Sequence, residues 1–347
     1  MKKILKNFSQ NPKNDILSGL TVALALVPEA VAFAFIAGID PLVGLYGAFI
    51  MGIITALFGG RPGMISGATG AMAVVMIHMI QKGNEVGESL LNPVDNLGLH
   101  WLFITLLIVG LIQVLAGVFK LGKFVRLIPH SVMMGFVNGL AIVIFLSQLG
   151  LFQKSRINGA QWISGAELYT MLALIGTTML IMYYLPKITT KVPAALVAIV
   201  SVALITVLGN IDVSTVGSFI SDGGGEGLKG SLPVFQGQIF ELFYTIDGYW
   251  DLIISTAVLL AAVGLIESLM TLNLVDEITQ TRGSGNRECL AQGGANFLNG
   301  LFGGMGGCAM IGQSIINVDS GGRGRLSGIT AAITLLCFVL FVPSKTN

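Results

Sequence analysis

Charge is what this chain has least of. Only 11% of its 347 residues are charged, where an ordinary soluble domain carries about 25%. So little charge excludes a solvated surface all round. The net charge of +1 comes with no basic tract, which gives nucleic acid no footprint to bind. The three cysteines, Cys289, Cys308 and Cys337, fit neither a disulfide framework nor a metal motif, and read as small buried hydrophobes. The three histidines, His78, His100 and His130, show no ligand spacing. There is no GxxxxGK[ST] loop, so no sign of nucleotide-driven work. There is no HExxH, no GxSxG and no nucleophile–base pair. The expectation is neither an enzyme nor a cofactor protein.

What is abundant is apolar sequence. Hydrophobic residues make up 54% of the chain, with 46 glycines, and the mean hydropathy is +0.83. A helix needs about 20 mostly apolar residues to cross a bilayer. Such spans are expected at 16–37, 41–59, 99–119, 130–151, 166–185, 193–209, 249–275, 289–304 and 326–342. Two further apolar runs, 70–80 and 309–318, are too short to span alone, and each follows a glycine-rich stretch. With the N-terminus inside, most lysines and arginines fall on the cytoplasmic side, leaving Lys82, Lys154, Arg156, Lys229 and Lys345 outside. The positive-inside rule therefore predicts a cytoplasmic N-terminus in a cell (inner) membrane. The segment after the spans of the first half, rich in glycine at Gly223, Gly224 and Gly225, then lies outside.

The chain also repeats itself. Leu57-Phe58-Gly59-Gly60 returns as Leu301-Phe302-Gly303-Gly304, each ending an apolar span. Each copy is followed by small residues and then by a short run: RPGMISGATGAMAVV in the first, MGGCAMIGQSIINV in the second. Upstream of each copy a glutamate sits inside a span, Glu29 and Glu267. The predicted topology gives the two copies opposite orientations. Paired, interrupted segments in inverted halves point to the binding site of a secondary transporter. Extended backbone at membrane depth is tolerated only where it is buried or lines a cavity. Short helices starting there expose their first amides and about half a positive charge each. Two such ends can hold an anion without a buried lysine or arginine. The expected starts are near Gly70 and Ala309.

These residues resemble the SulP family of anion transporters, the sulfate, bicarbonate and halide carriers. The resemblance runs through DILSGLTVALALVPEAVAFAFIAGIDPLVGLYGAFI and GGRPGMISGATGAMAVV. It is strongest in GLIESLMTLNLVDEITQTRGSGNRECLAQGGANFLNGLFGGMGGCAMIGQSIINVDSGGRGRLSG. It implies an all-α, seven-plus-seven inverted-repeat fold with two half-helices meeting near the midplane, and a core that moves against a gate. The nine spans and two short runs are then segments one to eleven of fourteen. The implied organisation is a cytoplasmic arm at 1–15, a first repeat at 16–210, an external loop at 211–248 and a partial second repeat at 249–347. Three segments and the regulatory STAS domain are then absent, and a fragment of a longer protein is the expectation. The family also suggests a homodimer.

The resemblance assigns roles residue by residue. Ser66, Ala68, Thr69 and Gly70 form the entry to the first short helix, and Thr69 stands where relatives contact the anion. Cys308, Ala309, Met310 and Ile311 open the second, where some bicarbonate-carrying relatives have a threonine at the place of Ile311. Glu267, with Thr271 one turn on, resembles the site that binds a coupling cation, Na⁺ or H⁺. Glu29, beside Pro28, is the second candidate. The bland alternatives are helix–helix hydrogen bonds for the glutamates, Asn138 and Gln148, small-residue packing for the glycine-rich entry, and inside-positive anchoring for Arg323 and Arg325. The function expected is symport of a small inorganic oxyanion, sulfate or bicarbonate. A channel, a nucleobase or organic-anion carrier of the same fold, and a non-transporting scaffold are the alternatives.

Overall fold

The protein is described from a computed structural model. It describes residues 8–9, 11–90, 93–123, 130–149, 152, 162–189, 194–211, 213 and 231–341. The start of the N-terminal arm, residues 212 and 214–230 of the 211–248 loop, and the side chains of His130 and Gln148 lie outside the described residues.

Among the described residues eleven helices carry the fold, in chain order α1 (Pro12–Ala37), α2 (Pro41–Phe58), α3 (Gly70–Ser89), α4 (Leu97–Val118), α5 (His130–Leu149), α6 (Ala166–Ile188), α7 (Ala194–Leu208), α8 (Trp250–Thr279), α9 (Gly285–Phe302), α10 (Ile311–Asp319) and α11 (Arg325–Phe341). A single helical turn at Gln238–Glu241 and a 3₁₀ turn at Leu242–Ile246 precede α8. Among the described residues five helices, α1, α2, α4, α6 and α8, are long and apolar enough to cross a membrane.

The first two helices start as their sequences dictate. Asn11 accepts from the Asn14 amide and Pro12 follows it. Asp40 accepts from the Leu42 amide at 2.7 Å and Pro41 follows it. A capping acceptor before a proline both satisfies an orphan donor and presets φ. Between them, Gly38 at φ 73° closes α1 with its amide on Ala34 and Phe35 carbonyls, the usual left-handed helix stop. α1 runs unbroken through Pro28.

The two short runs behave differently. α10 is nine residues long, as expected of a half-helix. α3 continues to Ser89, nine residues past the apolar run that predicts it. Gln81, Lys82, Asn84 and Glu85 carry little hydropathy, yet most are competent helix formers. Gly83 also lets α3 cross Gly98 of α4 closely, since a Cβ there would meet the Gly98 Cα at 2.5 Å.

Before each of these two helices the chain is extended. Ser66–Gly67 (β1) and Cys308–Ala309 (β2) pair antiparallel, Ser66 opposite Ala309 and Gly67 opposite Cys308. The strands come from the two repeats, so the bridge joins the halves in the middle of the bundle. The helix contacts repeat the same symmetry. Moving seven helices on, α4 against α9 becomes α11 against α2. Likewise α1 against α11 becomes α8 against α4, and α3 against α8 becomes α10 against α1. The pair α2 and α9 maps onto itself. These pairings have the two-fold symmetry of a seven-plus-seven repeat. Helices α5, α6 and α7 stand apart: α7 packs on α6 and α1, α5 on α3 and α1, and α6 buries no side chain within the described residues.

Polar groups fasten the core. Helix α9 carries Glu288, Gln292, Asn296 and Asn299 on one buried face, at the spacing of successive turns. Glu288 accepts from the Gly60 amide at 2.7 Å and from Gln292 at 2.8 Å. Gln292 also donates to Ser66 of β1 at 3.0 Å. Asn296 donates to Gln113 at 2.9 Å and to the Gly307 carbonyl at 3.0 Å, and accepts from the Gly307 amide at 2.9 Å. Arg325 is no mere anchor: its guanidinium caps the end of α2 on the carbonyls of Ala56, Leu57 and Gly59. The amide of Arg323 donates to Asp15 at 2.9 Å, and Asn138 stands exposed on α5.

Asn296→Leu strands three buried groups at once: the backbone N–H and C=O of Gly307, and Gln113 Oε1. Each unmet buried partner costs about 1–3 kcal/mol. The expected result is a destabilisation of about 3 kcal/mol or more, read as a lowered melting temperature of the detergent-purified protein. An unchanged melting temperature contradicts the role of α9 as the polar fastener.

Candidate functional site

The strand bridge places two helix starts beside each other. Thr69 is the N-cap of α3 and Met310 the N-cap of α10, and neither makes a side-chain capping bond. The first amides bonded inside the helices are Ala73, to Thr69 O at 3.0 Å, and Ser314, to Met310 O at 3.0 Å. The three amides ahead of each therefore have no acceptor within their helix. Both ends open on one cavity of about 220 Å³. Thr69, Gly70, Met310 and Ile311 line it, with Glu29 from α1 and Glu267 from α8. None of the described residues that line it is basic. Its positive potential thus comes from backbone dipoles, and its negative charge from two carboxylates, one from each repeat.

Glu267 is buried, 3% exposed. Its Oε2 accepts from the thiol of Cys308 at 2.9 Å, and that sulfur lies 3.2 Å from Thr69 Oγ1. The next residue, Ser268, accepts from the Ala309 amide at 3.1 Å, which clamps β2 to α8. Thr271 is fully buried one turn on. Its hydroxyl donates to the Glu267 carbonyl at 2.8 Å and lies 3.4 Å from the Ala309 carbonyl. It therefore turns toward backbone rather than toward the Glu267 carboxylate. Glu29 accepts from Gln313 of α10 at 2.7 Å, a bond that again crosses from one repeat to the other.

The structure brings together Glu29, Thr69, Gly70, Glu267, Met310 and Ile311 on one cavity wall. It keeps Ser66, Ala68 and Ala309 behind that wall, buried in or beside the strand bridge. Ser66 serves Gln292 there. Two participants were not singled out by sequence, and a third, Cys308, was expected only at the opening of the second short helix. Phe33 lies one turn beyond Glu29 on α1 and lines the cavity, a position that helix spacing could have marked. Gln313 faces Glu29 from the first turn of α10. Cys308 joins Thr69 to Glu267, although a lone buried cysteine carries no such signal in sequence. No group of acidic, histidine or cysteine side chains suited to hold a metal ion occurs among the described residues.

Geometry of this kind can hold a small anion on amides and a hydroxyl, with a cation or proton beside it on a carboxylate. Comparison with known proteins agrees on the lineage. The model of the sulfate permease family matches residues 13–346. A putative sulfate transporter, YbaR, of Bacillus subtilis is 44% identical over 95% of this chain and 62% of its own length. The bicarbonate transporter BicA of Synechocystis is 33% identical over 95% of this chain and 57% of its own. The chain thus spans about three fifths of the length of these curated relatives. Among solved structures, the transmembrane domain of a cyanobacterial bicarbonate transporter BicA superposes with a TM-score of 0.68 at 31% identity, covering 96% of this chain and 83% of that one. Murine solute carrier 26 family member A9, an anion transporter in the inward-facing state, shares the fold at a TM-score of 0.71 and 18% identity, covering 95% of this chain and 57% of that one.

Proposed function

The chain belongs to the sulfate permease family, a multi-pass membrane lineage, and from that premise we propose that it is a cation-coupled carrier of a small inorganic oxyanion, sulfate or bicarbonate. One observation carries the reading. Two helix N-termini from opposite repeats meet a pair of carboxylates at a single cavity with no basic side chain among its described lining. An anion held only by amides and a hydroxyl is held loosely enough to be released. Two carboxylates nearby would repel it unless a cation or proton neutralises them. That requirement is a physical basis for coupling: the anion and its counter-charge bind well only together.

In this reading Thr69, Gly70, Met310 and Ile311 present the anion site, with Ser66, Ala68 and Ala309 setting the strand bridge behind them. Glu267 carries Na⁺ or H⁺, Thr271 supports it, and Glu29 balances charge from the other repeat. Helices α1–α4 and α8–α11 move as one body against α5–α7, which gives each side access in turn. The N-terminus faces the cytoplasm of a cell membrane, residues 16–210 and 249–347 belong to the two repeats, and the carrier works as a homodimer. The names of the relatives, one sulfate and one bicarbonate transporter, support the anion class.

The test is uptake of radiolabelled sulfate and of bicarbonate by proteoliposomes holding the chain, with an inward Na⁺ gradient, an inward proton gradient, or neither. Accumulation of one anion driven by one of the gradients is the expected result. Uptake that only follows the membrane voltage, whatever the cation gradient, overturns the carrier in favour of a channel.

A further inference from the structure

One side chain touches both the anion half and the cation half of the cavity. Cys308 is fully buried in β2. Its thiol donates to Glu267 Oε2 at 2.9 Å and stands 3.2 Å from Thr69 Oγ1. Thr69 makes no capping bond at the start of α3, so its hydroxyl is not committed to its own helix.

The proton count along this chain of three is restrictive. A thiol has one proton to give and a hydroxyl has one. While Glu267 is a bare carboxylate, it holds the S–H of Cys308. The sulfur can then only accept, and the hydrogen of Thr69 turns toward it. Thr69 then shows the cavity lone pairs alone, which repel an anion. A cation or proton on Glu267 takes up the carboxylate oxygen. The S–H is then released to turn to Thr69 Oγ1, and the Thr69 hydrogen is freed to donate to an anion at the α3 N-terminus. Sulfur is a weak donor and acceptor, so the reversal costs little. No heavy atom needs to move far.

We propose that Cys308 is the coupling residue of the carrier, a relay that reports cation occupancy at Glu267 to Thr69 by setting the direction of the Thr69 hydroxyl. The proposal rests on the coupled-carrier reading above. By linkage, the anion must tighten cation binding by the same factor as the cation tightens the anion.

The experiment measures binding rather than transport. Radiolabelled sulfate, and separately bicarbonate, is titrated onto the full chain in lipid nanodiscs, without Na⁺, with saturating Na⁺, and across a pH series. In the wild type the cation raises anion affinity. In Cys308→Ala that gain falls by about 5-fold, the worth of one hydrogen bond, because the Thr69 hydrogen, no longer held on sulfur, serves the anion with or without the cation: affinity without cation rises by about that factor, and affinity with cation holds. Cys308→Ser, which keeps one donor and one acceptor, retains the gain. A merely structural cysteine would weaken both affinities alike or lower stability without touching the gain. An undiminished gain in Cys308→Ala overturns the relay. If that variant does not fold, Thr69→Val decides: loss of the gain supports the relay, and a full gain overturns it. A wild type in which neither Na⁺ nor protons alter anion binding overturns the coupled-carrier reading itself, before any variant is compared.

Discussion

Glutamine in place of Glu267 is expected to abolish gradient-driven accumulation of the anion. The substitution preserves shape and leaves an oxygen for the Cys308 thiol, which now donates to Glu267 Oε2 at 2.9 Å. It removes only the charge. An ionisable group at the middle of an apolar helix is retained against a cost of several kcal/mol, and here the apolar helix α8 offers no basic side chain to pair with it. The rate of uptake under a Na⁺ or proton gradient should fall by about 10-fold or more, the worth of a typical coupling between sites. Downhill exchange of anion across the same vesicles should survive, since the amides at Gly70 and Ile311 are untouched. A structural role predicts the opposite pattern, with a lower melting temperature and equal loss in both assays. Full retention of gradient-driven uptake by Glu267→Gln would remove Glu267 from the mechanism.

Much of this architecture is legible in sequence because a membrane leaves the chain few choices. Each expected span is found as a helix with ends within a few residues of those expected, since length and hydropathy are set by the bilayer. The starts of the half-helices are nearly as well defined. Gly70 begins α3 as expected, while α10 begins at Ile311, two residues after Ala309. Ala309 belongs to the second strand and Met310 is the N-cap. The LFGG repeat marks the end of a helix in both copies, at Phe58 and Phe302, yet the glycines that follow differ. Gly59 has φ −59° and Gly303 has φ 76°. The repeat therefore predicts where the chain turns but not how.

What escapes the sequence is polar and specific. Glu288, Gln292 and Asn296 recur at helical spacing through α9, but their partners Gly60, Ser66, Gln113 and Gly307 lie on other segments. Hydropathy counts such residues against a span, whereas the structure uses them as fasteners. The Glu29–Gln313 bond and the Cys308–Thr69 contact likewise join opposite repeats across more than the reach of any local pattern. The candidate anion and cation residues were found because the inverted repeat points to them. The link between them was not, because connection depends on side-chain direction.

The strand bridge sets the sharpest contrast between two substitutions of one kind. A Cβ on Gly307 would lie 1.9 Å from the Gly67 carbonyl oxygen and 2.7 Å from its carbon. Both are backbone, and Gly67 is itself held in the bridge to Cys308. The Gly307 peptide is also fixed by Asn296 on both its amide and its carbonyl. Neither strand can yield without unmaking the other, so Gly307→Ala should cost more than an ordinary overpacking penalty of about 1–3 kcal/mol. The expected outcome is little folded protein in detergent, or a melting temperature lowered by about 10 °C. Gly312, in the first turn of α10, has nothing within 4 Å of its added Cβ and borders the cavity. Gly312→Ala should leave the melting temperature unchanged, because the methyl group enters open space. It should instead weaken anion binding by about 3- to 10-fold, since the methyl group stands beside the amides that the anion must reach. Thermal stability and labelled-anion binding, measured on both variants, separate the two effects. If Gly307→Ala folds and melts like the wild type, the two repeats do not depend on the close crossing of their strands. If Gly312→Ala binds the anion undiminished, the anion does not sit at the start of α10.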